Sequence, residues 1–172
     1  MKFLDITKLQ AAERQIETAA KLYFNDGDSI SVHTLSEAGH NILIDLAISK
    51  DMTVPRHVSL DQIKPEYKKE FSKMLRVPQN FFKHADKDPE EILSFNPHLN
   101  ELSLLYAILL FKQFSDSPPF FMKSFIVYYQ IHNPKAFLDF NKDSLQFAKE
   151  LEQVSKLEFI KLMYESEVSF MS

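Results

Sequence analysis

The chain has 172 residues, 45% of them hydrophobic and 16 of them Phe, with a formal charge of -4 and no cysteine. That is enough apolar surface for one compact domain, while the interspersed charges give no global field for nucleic acid or a membrane, leaving only a local basic patch. Without thiols there are no disulfides, thiolate zinc sites, iron–sulfur clusters or cysteine nucleophiles, which fits a reducing compartment.

The N-terminal M-K-F-L-D-I-T-K returns to polar residues too early for a signal peptide. Thr7 and Gln10 have capping-box spacing, and Leu9, Ala12, Ile16, Ala19, Ala20 and Tyr23 then recur at helical intervals, with Gly27 as a C-terminal breaker. A second helix fits about 32–49 on a seam of Leu35, Gly39, Ile42 and Leu46; glycine there costs about 1 kcal/mol relative to alanine, so Gly39 is expected to admit a neighbouring helix. Residues 50–64 read as the longest loop.

Beyond it, prolines punctuate the chain. Asp88-Pro89, Asn96-Pro97, Ser117-Pro118 and Asn133-Pro134 each read as an N-cap with proline in the first turn, and Pro65 and Pro78 can open helices less well capped. Helices are expected at about 65–75, 78–85, 89–94, 97–115, 118–132 and 142–167, with one turn after Pro134. The helix from Pro97 is apolar almost all round and should be central. Its richest run, Leu104 to Phe111, falls far short of the roughly 18 to 20 residues that span a bilayer. The last helix should pack a stripe of Leu145, Ala148, Leu151, Val154, Leu157 and Met163. Nothing alternates with period two, and no repeat or second domain is visible. The expectation is a single all-α domain over 1–172, a bundle of six or more helices around the one at about 97–115.

Only two glycines occur, Gly27 and Gly39, which excludes phosphate-cradling loops, dinucleotide fingerprints and nucleophile elbows. Three polar groupings remain. In R-V-P-Q-N-F-F-K-H-A-D-K-D-P, from Arg76 to Pro89, Asn80 and His84 share a helix face four residues apart, with Phe81, Phe82 and Ala85 turned to the core. His84 suits general acid–base work and Asn80 can orient it or a substrate phosphate, with Lys83 and Arg76 adding positive charge. The simpler reading is backbone capping, which suffices for Asp88 in D-P-E-E. On the second helix His33, Glu37 and His40 form one stripe; Glu37 and His40 have the E-x-x-H spacing of di-metal bundles, but no second copy exists, and a solvated helix face explains them as well. Phe120, Phe121, Phe125, Tyr128 and Tyr129 carry only Lys123 as a nearby base, so packed core or a dimer face is expected rather than base stacking.

The segments S-V-H-T-L at 31–35 and N-F-F-K-H-A-D at 80–86, with the opening K-L-Q-A-A-E-R-Q-I-E-T-A, resemble a family of bacterial helical proteins without an assigned activity. That resemblance implies a cluster of His33, Asn80, His84 and Asp86. Q-N-F-F-K-H, residues 79–84, more loosely resembles the HEPN domains, all-helical and often dimeric, whose nuclease members place arginine and a polar residue ahead of a histidine. Asn80 and His84 are in register, but Gln79 stands in the place of arginine and Arg76 lies too far upstream. The resemblance thus implies a HEPN-like homodimer that engages RNA or a nucleotide with weak or no cleavage; the polar N-terminal stretch and the short apolar run add the expectation of a cytoplasmic protein, and no cofactor is expected. The rival expectation is a non-enzymatic helical homodimer acting as a protein-interaction module.

Overall fold

The computed structural model describes residues 3–52, 73, 76–86, 89–134 and 149–171, with backbone only for 168–171. All regular structure among them is helical: α1 (Lys8–Phe24), α2 (Ser29–Ser49), α3 (Leu99–Phe111), α4 (Phe120–His132) and α5 (Lys156–Met171), with short helical stretches at 76–81 and 149–151. The fold is an all-α bundle. No helix among the described residues is long and apolar enough to cross a membrane. The helix expected at 65–75, apart from Lys73, the loop expected at 50–64 beyond Met52, the Asp88 cap, the turn after Pro134, and Leu145 and Ala148 lie outside the described residues.

The capping box at Thr7 forms as its spacing requires: the Gln10 N–H donates to Thr7 Oγ1 at 3.2 Å and the Thr7 N–H to Gln10 Oε1 at 2.9 Å. At the other end of α1 the left-handed residue is Asp26, with φ 47°, while the Gly27 N–H reaches back to the Leu22 carbonyl at 2.9 Å. Gly27 is therefore needed for room rather than for its backbone angle: a Cβ there would stand 3.0 Å from Leu22 Cδ2. The end of α2 repeats the device, with Asp51 at φ 53° and the Met52 N–H on the Ala47 carbonyl at 2.9 Å. The start of α2 lies three residues before the expected one, because Asp28 Oδ2 accepts from the Ser31 N–H at 2.7 Å.

α1 and α2 pack closely through Gly39. A Cβ at that position would meet Ile16 Cγ1 at 2.6 Å and the Ala12 carbonyl at 3.1 Å. The gain of about 1 kcal/mol in helix propensity from alanine is outweighed by an overpacking cost of about 1–3 kcal/mol in a filled core, so glycine is the residue the contact requires. α3 packs against another face of α2 and is buried along most of its length, from Leu99 to Phe111.

Several expected boundaries move, each for a local reason. Residues 91–96 have no regular structure, since the span between Pro89 and Pro97 is too short to offset helix nucleation and the residue before a proline disfavours α geometry. The central helix occupies Leu99–Phe111 within the expected 97–115, with Asn96 Oδ1 accepting from the His98 N–H at 3.1 Å in the preceding turn. Pro78 stands inside the helical stretch 76–81 rather than opening it. α4 begins at Phe120 because Pro118 precedes Pro119 and cannot easily be helical. The helix expected at 142–167 is interrupted at 152–155, where Ser155 caps α5: its Oγ accepts from the Glu158 N–H at 3.3 Å. The break resets the helix phase, so Phe159 is the buried anchor at 1% exposure and Leu157 is turned out at 51%.

Phe159 stacks on Phe24 at 5.9 Å and meets Tyr128 at 5.3 Å, while Tyr23 lies edge-on to Phe125 at 5.3 Å. The aromatics of 121–129 are thus engaged in the interior. α4 has no cap of its own. Instead Glu17, one face of α1, accepts the N–H groups of Phe121 at 3.0 Å and Met122 at 3.1 Å, so one helix caps another. Burial pushes the Glu17 carboxyl up, and the two N–H donors pull against that rise. Glu17→Ala is expected to lower stability by about 1–2 kcal/mol in urea denaturation followed by circular dichroism, with Glu17→Gln losing less because one amide oxygen still accepts.

Candidate functional site

Residues 76–86 hold a tight turn: the Phe82 N–H donates to the Pro78 carbonyl at 3.0 Å, and the Lys83 and His84 N–H groups share the Asn80 carbonyl at 3.2 and 3.1 Å. This keeps Asn80 and His84 on one exposed edge. Together with Lys73, Val77, Phe81, Asp86 and Glu91 they line a cleft of about 650 Å³, a volume typical of small-molecule sites. Phe81 faces this cleft rather than the core, and Ala85 is exposed; only Phe82 of the expected three turns inward onto a buried neighbour. Beside it lies an apolar pocket of about 290 Å³ with Val77, Pro78, Leu93, Phe95 and Leu99 in its wall, sharing Lys73 and Val77 with the cleft.

The cleft brings together Asn80, His84 and Asp86, but not the other residues singled out from the sequence. Among the described residues Arg76, Lys83 and His33 are not part of its wall. Arg76 and Lys83 are exposed on the same segment. His33 is fully buried behind Phe82, whose ring centroid is 5.8 Å away, and Phe95, at 5.3 Å.

The stripe His33, Glu37 and His40 is not a solvated face: all three side chains are buried. For His33 and Glu37 the polar neighbours come from α3. His33 Nδ1 lies 3.2 Å from Asn100 Oδ1, and Asn100 Nδ2 donates to the Ser29 carbonyl at 2.9 Å. With its amide nitrogen committed to a carbonyl, Asn100 presents oxygen to the imidazole, so Nδ1 carries the proton and Nε2 the lone pair. That Nε2 is buried and has no partner among the described residues. Burial holds the His33 imidazole below its ordinary pKa; the Asn100 contact opposes this and the nearby Lys83 charge reinforces it.

One turn along, Glu37 sits near Ser103. Burial pushes its carboxyl up, opposed by Ser103 and by the charge of Lys83, although the Ser103 hydroxyl makes no hydrogen bond of good geometry among the described residues. Among the described residues no group of three His, Asp or Glu is placed to hold a metal, the set His33, Glu37 and His40 included. The arrangement is a polar seam between α2 and α3, roofed by the segment that carries the cleft.

Asn100 and Ser103 are the functional neighbours that sequence reasoning passed over. They are polar residues three apart in a helix otherwise almost wholly apolar, and that spacing places them on one face. The aromatic roof of Phe82 and Phe95 has no such signal, because the two residues meet only through the irregular segment between them.

The sign of the Glu37 effect is testable. A carboxyl raised by burial contributes its full stability below the unfolded pKa, about 4.3, and loses it as pH rises through the folded value. Glu37→Gln is therefore expected to be more stable than the parent at pH 8 and to lose that advantage near pH 4, in urea unfolding at the two pH values.

No protein-family model, curated protein or solved structure matches the chain.

Proposed function

We propose that the chain is a HEPN-like helical binding module that holds the base end of a nucleotide, or of single-stranded RNA, in the cleft at Asn80 and His84, with weak or no cleavage. The observation that carries this reading is the convergence of Asn80, His84 and the Phe81 ring on one open cleft of about 650 Å³. Asn80 offers an amide donor and acceptor to a base edge, His84 adds a ring nitrogen, and Phe81 supplies an aromatic surface of the kind on which bases stack. Among the described residues of the wall, Asp86, Glu91 and Lys73 carry charge, and the reading places recognition on the base through Asn80, His84 and Phe81.

Cleavage of a phosphodiester would need a base, an acid and a cation around the phosphate. The described wall supplies a single imidazole, and Gln79 occupies the position where the HEPN nuclease pattern has arginine. Titration of the four nucleoside monophosphates and of a short single-stranded RNA, by calorimetry or by chemical shift, tests the reading. Saturable binding is expected, weakened roughly tenfold by Asn80→Ala or His84→Ala, as loss of a hydrogen bond worth about 1–1.5 kcal/mol implies. Absence of binding by every probe, or affinities untouched by both substitutions, would sink it.

A second reading, self-association as an interaction module, is favoured by the apolar N-terminal stretch: Phe3, Leu4 and Ile6 are 83%, 66% and 45% exposed. Light scattering at several concentrations should then report a dimer that Phe3→Asp with Leu4→Asp converts to monomer; a monomer throughout removes this reading.

A further inference from the structure

The segment that carries the cleft is fastened to the helical body through aromatic contacts on one buried histidine. The rings of Phe82 and Phe95 stand at 84° and 68° to the His33 ring and lie 5.2 Å from each other. Phe82 precedes the cleft residues His84 and Asp86 in sequence, and Phe95 follows Glu91. The cleft segment thus rests on the same imidazole at two points, one inside the turn at Phe82 and one beyond Glu91 at Phe95. Its Nδ1–H is taken up by Asn100, and its Nε2 lone pair is shut in without a partner among the described residues. A buried polar atom left in that condition calls for an explanation.

We propose that His33 is a proton-sensitive latch for residues 76–86 and 89–95: the neutral imidazole holds the two phenyl rings and keeps the cleft shaped, and the imidazolium releases them. A proton on Nε2 creates a donor that faces no acceptor among the described residues. Burying an ion in that state costs far more than burying the neutral ring, and the attraction of aromatic faces for a cation is the smaller effect. Relief requires water at Nε2. α2 and α3 are packed helices, whereas 91–96 is irregular and 82–86 is a turn, so the segment is the part that yields.

The charged surroundings act in the same direction. Lys83, on the segment itself, repels a cation at His33, and desolvation already depresses the imidazole pKa. Glu37, one turn along α2, is held above the usual carboxylate range by burial, so acidification neutralises it and it gives the imidazolium no shelter. Asn100 accepts from Nδ1–H in either state and favours the protonated ring, against the larger effect of burial. As regulation of the cleft, the inference rests on the binding reading; as a latch on the segment, it does not.

Hydrogen exchange on the full chain between pH 7.5 and 4.5, corrected for intrinsic rates, tests the latch together with a ring-nitrogen NMR titration of His33. The Phe82, Lys83 and His84 amides are expected to open at least tenfold more at the acid end, with α2 and α3 amides unchanged and the opening midpoint equal to that of His33. His33→Gln should abolish the pH response and His84→Gln should keep it. Protection that ignores pH, a midpoint that departs from the His33 titration, an unchanged response in His33→Gln or a lost one in His84→Gln would each overturn the latch; the midpoint comparison needs no variant. Titration of adenosine 5′-monophosphate at the same pH values supplies the second arm. Binding that weakens in step with opening supports regulation of the cleft, binding that ignores opening overturns that regulation, and no binding at any pH removes the binding reading while leaving the latch to the exchange data.

Discussion

The contact between Gly39 and Ile16 constrains the rest of the molecule. It lets α1 and α2 approach until a single added carbon would have no room. In a helix that advances about 100° per residue, Glu37 points nearly opposite to Gly39. Once the Gly39 face is against α1, the face carrying His33, Glu37 and His40 is presented to whatever packs on the other side of α2. That neighbour is α3, and so a stripe that sequence composition would place in water is buried between two helices. The polar partners Asn100 and Ser103 answer that burial from the one face of α3 that is not apolar.

How much of this was legible in the sequence depends on whether the deciding contact is local. The Thr7–Gln10 box, the close approach at Gly39 and the apolar character of the central helix are written within a few residues of each other, and all three appear in the structure. The Ser155 break was equally local: Ser155 and Glu158 have the spacing of a helix start, but the continuous apolar stripe on either side hid it. Phase then shifts, and Phe159 rather than Leu157 reaches the core. Other decisions are not local at all. Glu17 caps a helix more than a hundred positions away, and nothing about a glutamate in the middle of α1 marks it for that role. The proline rule placed helix starts within two residues at Pro97 and Pro118, and failed at Pro89, where another proline follows too soon for a helix to extend.

The candidate site shows the same division. Asn80, His84 and Asp86 share one turn, so their convergence on a cleft follows from short-range geometry. His33 belongs to the same neighbourhood by a different route. Its ring contacts with the cleft segment are Phe82 and Phe95. Grouping it with Asn80 and His84 as a set of equivalent site residues merges two layers that have different chemistry. The outer layer is exposed and polar, suited to contact with a ligand. The inner layer is buried, with its protonation and tautomer set by Asn100 and by desolvation.

Two layers of unequal rigidity have a consequence for how such a site can respond. The inner layer is held between two packed helices, and α2 is fixed on its other face, where its contact with α1 is filled down to the level of one methyl group at Gly39. The outer layer has short helical and irregular backbone, and its inward anchorage includes two phenyl rings on one imidazole. A perturbation of the imidazole therefore passes outward rather than inward, since the rings can move at smaller cost than the helices can. On the proposed binding reading, a ligand on Asn80 and His84 would order the turn at 80–84 and with it the seated position of Phe82. Occupancy of the cleft and neutrality of His33 would then be coupled through the position of Phe82, and by linkage each would favour the other to the same extent.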